Sequence, residues 1–209
     1  MVTATEAGTA IGLARRAIGE RFRGADADPA AATRGERLPP VLDERRGVFV
    51  TLVRHPSGAL RGCIGYPLPV HALRIAIPRV AVAAAFDDPR FPPLAREELP
   101  TTRVELSLLT VPEPIPATDP DERALAVRVG VDGLVLERGD ASGLLLPQVA
   151  VAEEWDSERF LRGVATKAGL PASAWRDPAA TLYRFQAEVF AERSPGGTVE
   201  PVPLDPTRR

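Results

Sequence analysis

Cysteine is almost missing: Cys63 is the single cysteine among 209 residues. One thiol makes neither an intrachain disulfide nor a cysteine-rich zinc site. Histidine is nearly as scarce, with only His55 and His71, so a metal site would have to rest mainly on carboxylates. Lysine is reduced to Lys167, which leaves arginine to supply 25 of the 26 basic side chains. That bias fits a GC-rich genome better than it fits a function. No uninterrupted apolar run approaches the roughly 20 residues that cross a bilayer. The N-terminus carries Glu6 and has no compact apolar run with a cleavage site, so a soluble, cytoplasmic protein is expected. Neither sign of charge dominates: 28 acidic residues against 26 basic give a net charge of -2 and a pI near 5.8. Binding of nucleic acid through bulk electrostatics is therefore disfavoured. Proline alone is abundant, 22 residues, about twice the usual ~5%, and implies many sharp connections.

The apolar pattern predicts mixed α/β structure. Residues 4–22 place Ala10, Leu13, Ala14, Ala17 and Ile18 on one helical stripe, with Thr3 placed to cap it and Glu6 three residues on. Residues 24–46 lack a period and read as an extended loop or short turn. Two β-rich runs, 47–54 and 59–65, flank a His55-Pro56-Ser57-Gly58 turn cluster and predict a hairpin. From Pro69 to Ala85 the period is helical, but Pro78 interrupts it, so a short turn followed by a main helix from Pro78 is expected. Residues 102–109 alternate, with Val104, Leu106 and Leu108 facing one way and Arg103, Glu105 and Ser107 the other. A Pro-rich crossing over 111–121 and a short helix or strand over 122–129 follow. A second hairpin is expected at 133–146, turning over residues 139–143. Next come a helix near 156–168 capped by Asp156 and stopped by Gly169, and one long strand over 181–191. From Ser194 onward no apolar pattern remains, and a flexible Pro-rich tail, 194–209, is expected to follow a domain spanning 1–193.

Most of the chemistry is concentrated in residues 60–65, LRGCIG. On a strand, residues i and i+2 share a face, so Arg61 and Cys63 are expected to point together, with Leu60 and Ile64 opposite. A guanidinium beside a thiol favours the thiolate and lowers its pKa from ~8.5. Gly62 and Gly65 allow a substrate or another backbone to approach closely. The plainer reading makes Cys63 a small buried hydrophobe in a tight β-to-α crossing. A Cys63–histidine pair has little support, since His55 sits in a turn and His71 near a helix start. Asp87, Asp88, Glu105, Glu153 and Glu154 are carboxylates available for chemistry; their ordinary roles are capping and pairing with arginine. Residues 130–133 are too short for a dinucleotide fingerprint, and Lys167 suits the last turn of a helix. Nothing in the sequence calls for a cofactor.

Eight segments occur in one order: LRGCIG (60–65), AAFDDPRFPPL (84–94), EEL (97–99), VELSLL (104–109), GVDGL (130–134), LLLPQVA (144–150), WD (155–156) and KAGLP (167–171). Together they resemble the AMMECR domain family, whose prokaryotic members are called AmmeMemoRadiSam system protein A, and the resemblance covers residues 8–190. It implies an α+β fold with mainly antiparallel sheet and flanking helices, a larger lobe from both chain ends, a smaller middle lobe, and a cleft between them. It implies gene neighbours that encode a Memo-type protein and a radical S-adenosylmethionine enzyme, which are the expected partners. It carries over a candidate site and no reaction: Arg61, Gly62, Cys63, Ile64 and Gly65, with Asp88, Arg90, Pro147 and Gln148 as neighbours. Pro78-Arg79-Val80 departs from the polar helical continuation usual in the family. Two functions are open on this reading. One is a component of such a system acting through Cys63 with Arg61 favouring its thiolate; the other is a non-enzymatic module that binds a protein or substrate.

Overall fold

Thr3 accepts a hydrogen bond from the Glu6 amide while Glu6 bonds back to the Thr3 amide, a reciprocal cap that starts helix α1 (Ala4–Phe22). The computed structural model describes residues 2–24, 33 and 37–203. The larger of two units combines the chain up to Leu109 with Glu188–Val202, so it is built from both chain ends. After α1 and a 3-10 turn at Pro40–Asp43 come β1 (Val48–Arg54), β2 (Leu60–Tyr66), helix α2 (Leu73–Phe86), a 3-10 turn at Arg96–Thr101 and β3 (Thr102–Leu109). Two strands near the C-terminus, β8 (Ala187–Glu192) and β9 (Val199–Val202), complete a five-stranded sheet of order β2-β1-β3-β8-β9. Both β2 and β3 pair antiparallel with β1.

Alternation decides which face of this sheet is dry. Val48, Val50 and Leu52 of β1 and Val104, Leu106 and Leu108 of β3 are buried against Ile11, Leu13 and Ile18 of α1 and Ile77, Val80 and Ala84 of α2. Phe49, Thr51, Arg103, Glu105 and Ser107 take the other face and are half-buried. Glu192 ties the C-terminal strand to the rest of this unit. It accepts hydrogen bonds from the Arg15 guanidinium and, at 2.8 Å, from the Val104 amide.

The smaller unit is Thr110–Ala187. It comprises β4 (Glu113–Pro114), α3 (Pro120–Ala126), β5 (Gly133–Arg138), β6 (Ala141–Leu145), α4 (Pro147–Ala152), α5 (Ser157–Lys167), a 3-10 turn at Ala174–Arg176 and β7 (Thr181–Phe185). Its sheet has the order β4-β7-β5-β6. Phe160, Leu161 and Val164 of α5 pack with Leu134, Leu136, Leu182 and Trp175 in a core of its own. Arg123 is buried in this unit and donates to the carbonyls of Ala117, Trp175, Asp177 and Ala180.

Four expectations change. Pro78 lies inside one continuous helix instead of dividing two, because burial of Ile77, Val80, Ala81 and Ala84 outweighs one missing helical bond. The long strand expected over 181–191 breaks at Gln186. There Gln186 exchanges two hydrogen bonds with Thr110, each 2.8 Å, and the two halves join different sheets. The stretch from Ser194 contributes β9, paired antiparallel with β8. The second hairpin turns earlier than expected, with Arg138 opposite Ala141. Of the loop expected over 24–46, residues 25–32 and 34–36 lie outside the described residues, as does 204–209 of the tail. No helix among the described residues is long and apolar enough to cross a membrane.

Candidate functional site

Strand β2 is the sheet's outer edge beside β1. Thr51 of β1 stands opposite Cys63, while the register slips between Leu52 and Val53, which face Gly62 and Leu60. Arg61 is therefore an extra residue, and such a bulge re-aims its side chain. The Arg61 guanidinium is buried and grips Glu98 with two hydrogen bonds of 2.9 Å, adding one of 3.3 Å to the Pro93 carbonyl. Its bonds to Glu98 hold that carboxyl down to about 2, against the opposing effect of burial. The expectation that Arg61 attends the thiol is thus corrected in part: its described hydrogen bonds go to Glu98 and Pro93.

The guanidinium that does reach Cys63 belongs to Arg90. Asp88, with its side chain almost wholly buried, accepts the Cys63 amide at 2.8 Å, two bonds from the Arg90 guanidinium, 2.7 and 3.0 Å long, and the Arg90 amide at 3.1 Å. Arg90 in turn donates to the Cys63 carbonyl at 3.2 Å. On an open sheet edge these groups would face solvent or another strand; the Asp88–Arg90 fork substitutes for that strand. Asp88 is held well below the usual carboxylate range, chiefly by Arg90, with burial opposing and the Cys63 amide assisting. Arg90 is raised above its ordinary value, first by Asp88 and in smaller part by the Cys63 thiol. Cys63 is half-buried, and its sulfur accepts a hydrogen bond from the Thr51 hydroxyl at 3.3 Å.

The glycines serve architecture. A methyl group on Gly62 would lie 2.1 Å from the Ala84 carbonyl oxygen, and one on Gly65 2.3 Å from the Phe49 ring. Of the two visitors the sequence allowed, a substrate or a backbone, α2 and Phe49 take the space. Ile64 packs against the core.

Thr51 has a second neighbour, Glu105 on β3. Cys63, Thr51 and Glu105 therefore form one row across three strands. Glu105 lies 3.4 Å from Arg103, and burial raises its carboxyl while Arg103 opposes that shift. The sequence expects an arginine partner for Glu105, and Arg103 is that partner; Thr51 is not among the residues it singles out. The alternation of β1 and β3 already put both on polar faces; what it lacked was the strand order that aligns them with Cys63.

The remaining candidates are elsewhere. Pro147 and Gln148 belong to the smaller unit, in the first turn of α4, with Pro147 buried and Gln148 exposed. His55 is exposed in the hairpin turn, and His71 meets Arg79 at 3.2 Å and the Tyr66 ring. Asp87 ends α2, and Lys167 is in the last turn of α5. Asp132 is fully buried and bonded to the amide and guanidinium of Arg128, which makes its segment a braced turn. Among the described residues no group of three or more His, Cys, Asp or Glu is placed to hold a metal ion.

Comparison with known proteins follows the same outline. The family model described as AMMECR1 matches residues 11–190. Protein PF1979 of Pyrococcus furiosus is 50% identical over 198 residues, covering 93% of this chain and 91% of that protein. A protein of Methanothermobacter thermautotrophicus is 49% identical over 187 residues, 90% of this chain and 94% of its own. The crystal structure of the uncharacterized protein PH0010 from Pyrococcus horikoshii superposes with a TM-score of 0.82 at 44% identity, covering 97% of this chain and 98% of that one.

Proposed function

The chain belongs to the AMMECR1 family, and from that premise we propose that the Cys63 edge of the larger unit is a thiol site serving an AmmeMemoRadiSam system. One observation carries this reading. The main chain of Cys63 is clamped by Asp88 and Arg90, while its sulfur accepts a hydrogen bond from the Thr51 hydroxyl. A fixed backbone with a thiol neighbouring a guanidinium suits a nucleophilic cysteine. Asp88 and Arg90 position the residue, and Arg90 supplies positive charge beside the sulfur. Arg61 acts at one remove, holding Glu98 and the Pro93 loop. The partners on this reading are a Memo-type protein and a radical S-adenosylmethionine enzyme.

The test is alkylation of the native protein by iodoacetamide across pH, with a denatured control. The expected result is rapid reaction at neutral pH in the native state. Slow reaction at every pH, released only by denaturant, overturns the thiol site.

A second reading, a non-enzymatic module that binds a protein or modified substrate, draws on the architectural roles of Arg61, Gly62, Gly65 and Asp88. It expects Cys63→Ser to retain co-purification with the Memo-type and radical S-adenosylmethionine proteins and to retain biological output. Loss of output in a folded Cys63→Ser variant sinks it.

A further inference from the structure

We propose that a cavity of the smaller unit, lined by α3 and the start of α5, binds an arginine of a partner peptide, with the guanidinium on Asp121 and Asp156 and a peptide carbonyl on the Trp175 indole. This site stands without the thiol reading above.

The cavity holds about 540 Å³, within the range of about 300–1,000 Å³ that takes small ligands and side chains. Asp121 and Leu125 come from α3, Asp156 and Glu158 from the start of α5, and Trp175 and Arg176 from the 3-10 turn. Three carboxylates thus meet one guanidinium. Arg176 is already committed, since it pairs with Glu158 and stacks over the Trp175 ring at 4.5 Å. Asp156 caps α5 through Oδ1, which accepts the Arg159 amide at 2.8 Å. Asp121 makes no ion pair among the described residues, and both aspartates are exposed. The positive end of α5 opposes a cation by about half a charge, less than these two carboxylates attract. A metal ion does not fit them, because no three acidic, histidine or cysteine groups among the described residues are gathered closely enough. An organic cation does.

Trp175 supplies an independent sign of a ligand. It lines the cavity while only 1% exposed, and its indole N–H has no hydrogen-bond partner among the described residues. A buried indole N–H ordinarily finds an acceptor. A guanidinium cannot be that acceptor, for it carries five donors and none. A carboxylate could accept, but the aspartates would repel it. The ligand that satisfies both halves of the cavity carries a guanidinium and a neutral carbonyl, which is an arginine within a peptide chain. Leu125, 85% exposed, gives the three-carbon stem of that arginine an apolar surface to cover. The fork of donors then spans two carboxylates, which a lysine ammonium serves less well.

The orphan N–H is also the probe. Trp155 and Trp175 are the two tryptophans of the chain, so the nitrogen-labelled full-length protein gives two indole signals, assigned through Trp155→Phe. Titration with N-acetyl-arginine methylamide is expected to shift the Trp175 signal saturably. The citrulline counterpart, alike in shape but uncharged, is expected to bind at least about tenfold more weakly. Asp121→Asn and Asp156→Asn are each expected to weaken the arginine probe about tenfold; asparagine caps a helix as well as aspartate does, so α5 is retained. Butylguanidinium, which has the cation and no carbonyl, is expected to bind more weakly than the arginine probe. A Trp175 signal that never moves, equal binding of the citrulline probe, or indifference to both asparagine variants overturns the site. Butylguanidinium binding as tightly as the arginine probe overturns the peptide as its ligand.

Discussion

At the scale of the residue, two ion pairs brace the candidate site, and their acids set the response of the fold to pH. Glu98 and Asp88 both ionise more readily in the folded chain than when free. A carboxyl depressed by folding stabilises above its unfolded pKa, near 4, and that stability drains away as pH falls through the folded value. The protein is therefore expected to lose stability from about pH 4.5 downward, with the Glu98 part gone near pH 2 and the Asp88 part persisting lower. Urea melts at stepped pH check this, and Glu98→Gln flattens the curve in that window. Asp88→Ala removes the acceptor of the Cys63 amide and the partner of Arg90. It is expected to cost about 2 kcal/mol and to speed hydrogen exchange at Cys63. The LRGCIG segment reads as a candidate site because its residue types carry chemistry wherever they fold. Strand parity turns Arg61 toward the thiol and misses Glu98 because it assumes an unbroken ladder, and the register slip between Leu52 and Val53 has no signature in the sequence.

At the scale of the element, close approach governs. Strand β2 meets α2 at Gly62, where the Ala84 carbonyl leaves no room for a methyl group. Gly62→Ala must push the helix outward, at an expected cost of about 2 kcal/mol, read from a denaturant midpoint that moves without a change in slope. Strand β9 behaves differently. Pro201 within it cannot donate to a ladder, and proline is tolerated on an edge. With no apolar period, the strand is invisible to pattern reading. Deleting residues from Val199 onward strips β8 of this neighbour and is expected to lower the melting temperature and deprotect the amides of β8. The helices α1 and α5 and the alternation of β3 were readable because their signals are local. The break at Gln186 was not, since its cause is Thr110, 76 residues earlier.

At the scale of the whole molecule, each unit buries a separate apolar core. Phe160 is fully buried in the smaller one. Phe160→Ala is expected to cost about 4 kcal/mol, and hydrogen exchange should show protection lost first across residues 110–187. Equal loss of protection throughout the chain would mean that the two cores melt as one.

The larger unit draws its last strands from residues 188–202, and this fixes an order of events during synthesis. A chain emerging N-terminus first at about 5–20 residues per second exposes α1, α2 and the first three strands early. Those strands then wait while the entire middle unit is translated. Throughout that delay β3 presents a bare edge, and Arg15 and the Val104 amide lack Glu192, their eventual partner. The candidate thiol therefore leaves the ribosome on a half-finished sheet, and only the emergence of residues 188–202 closes it.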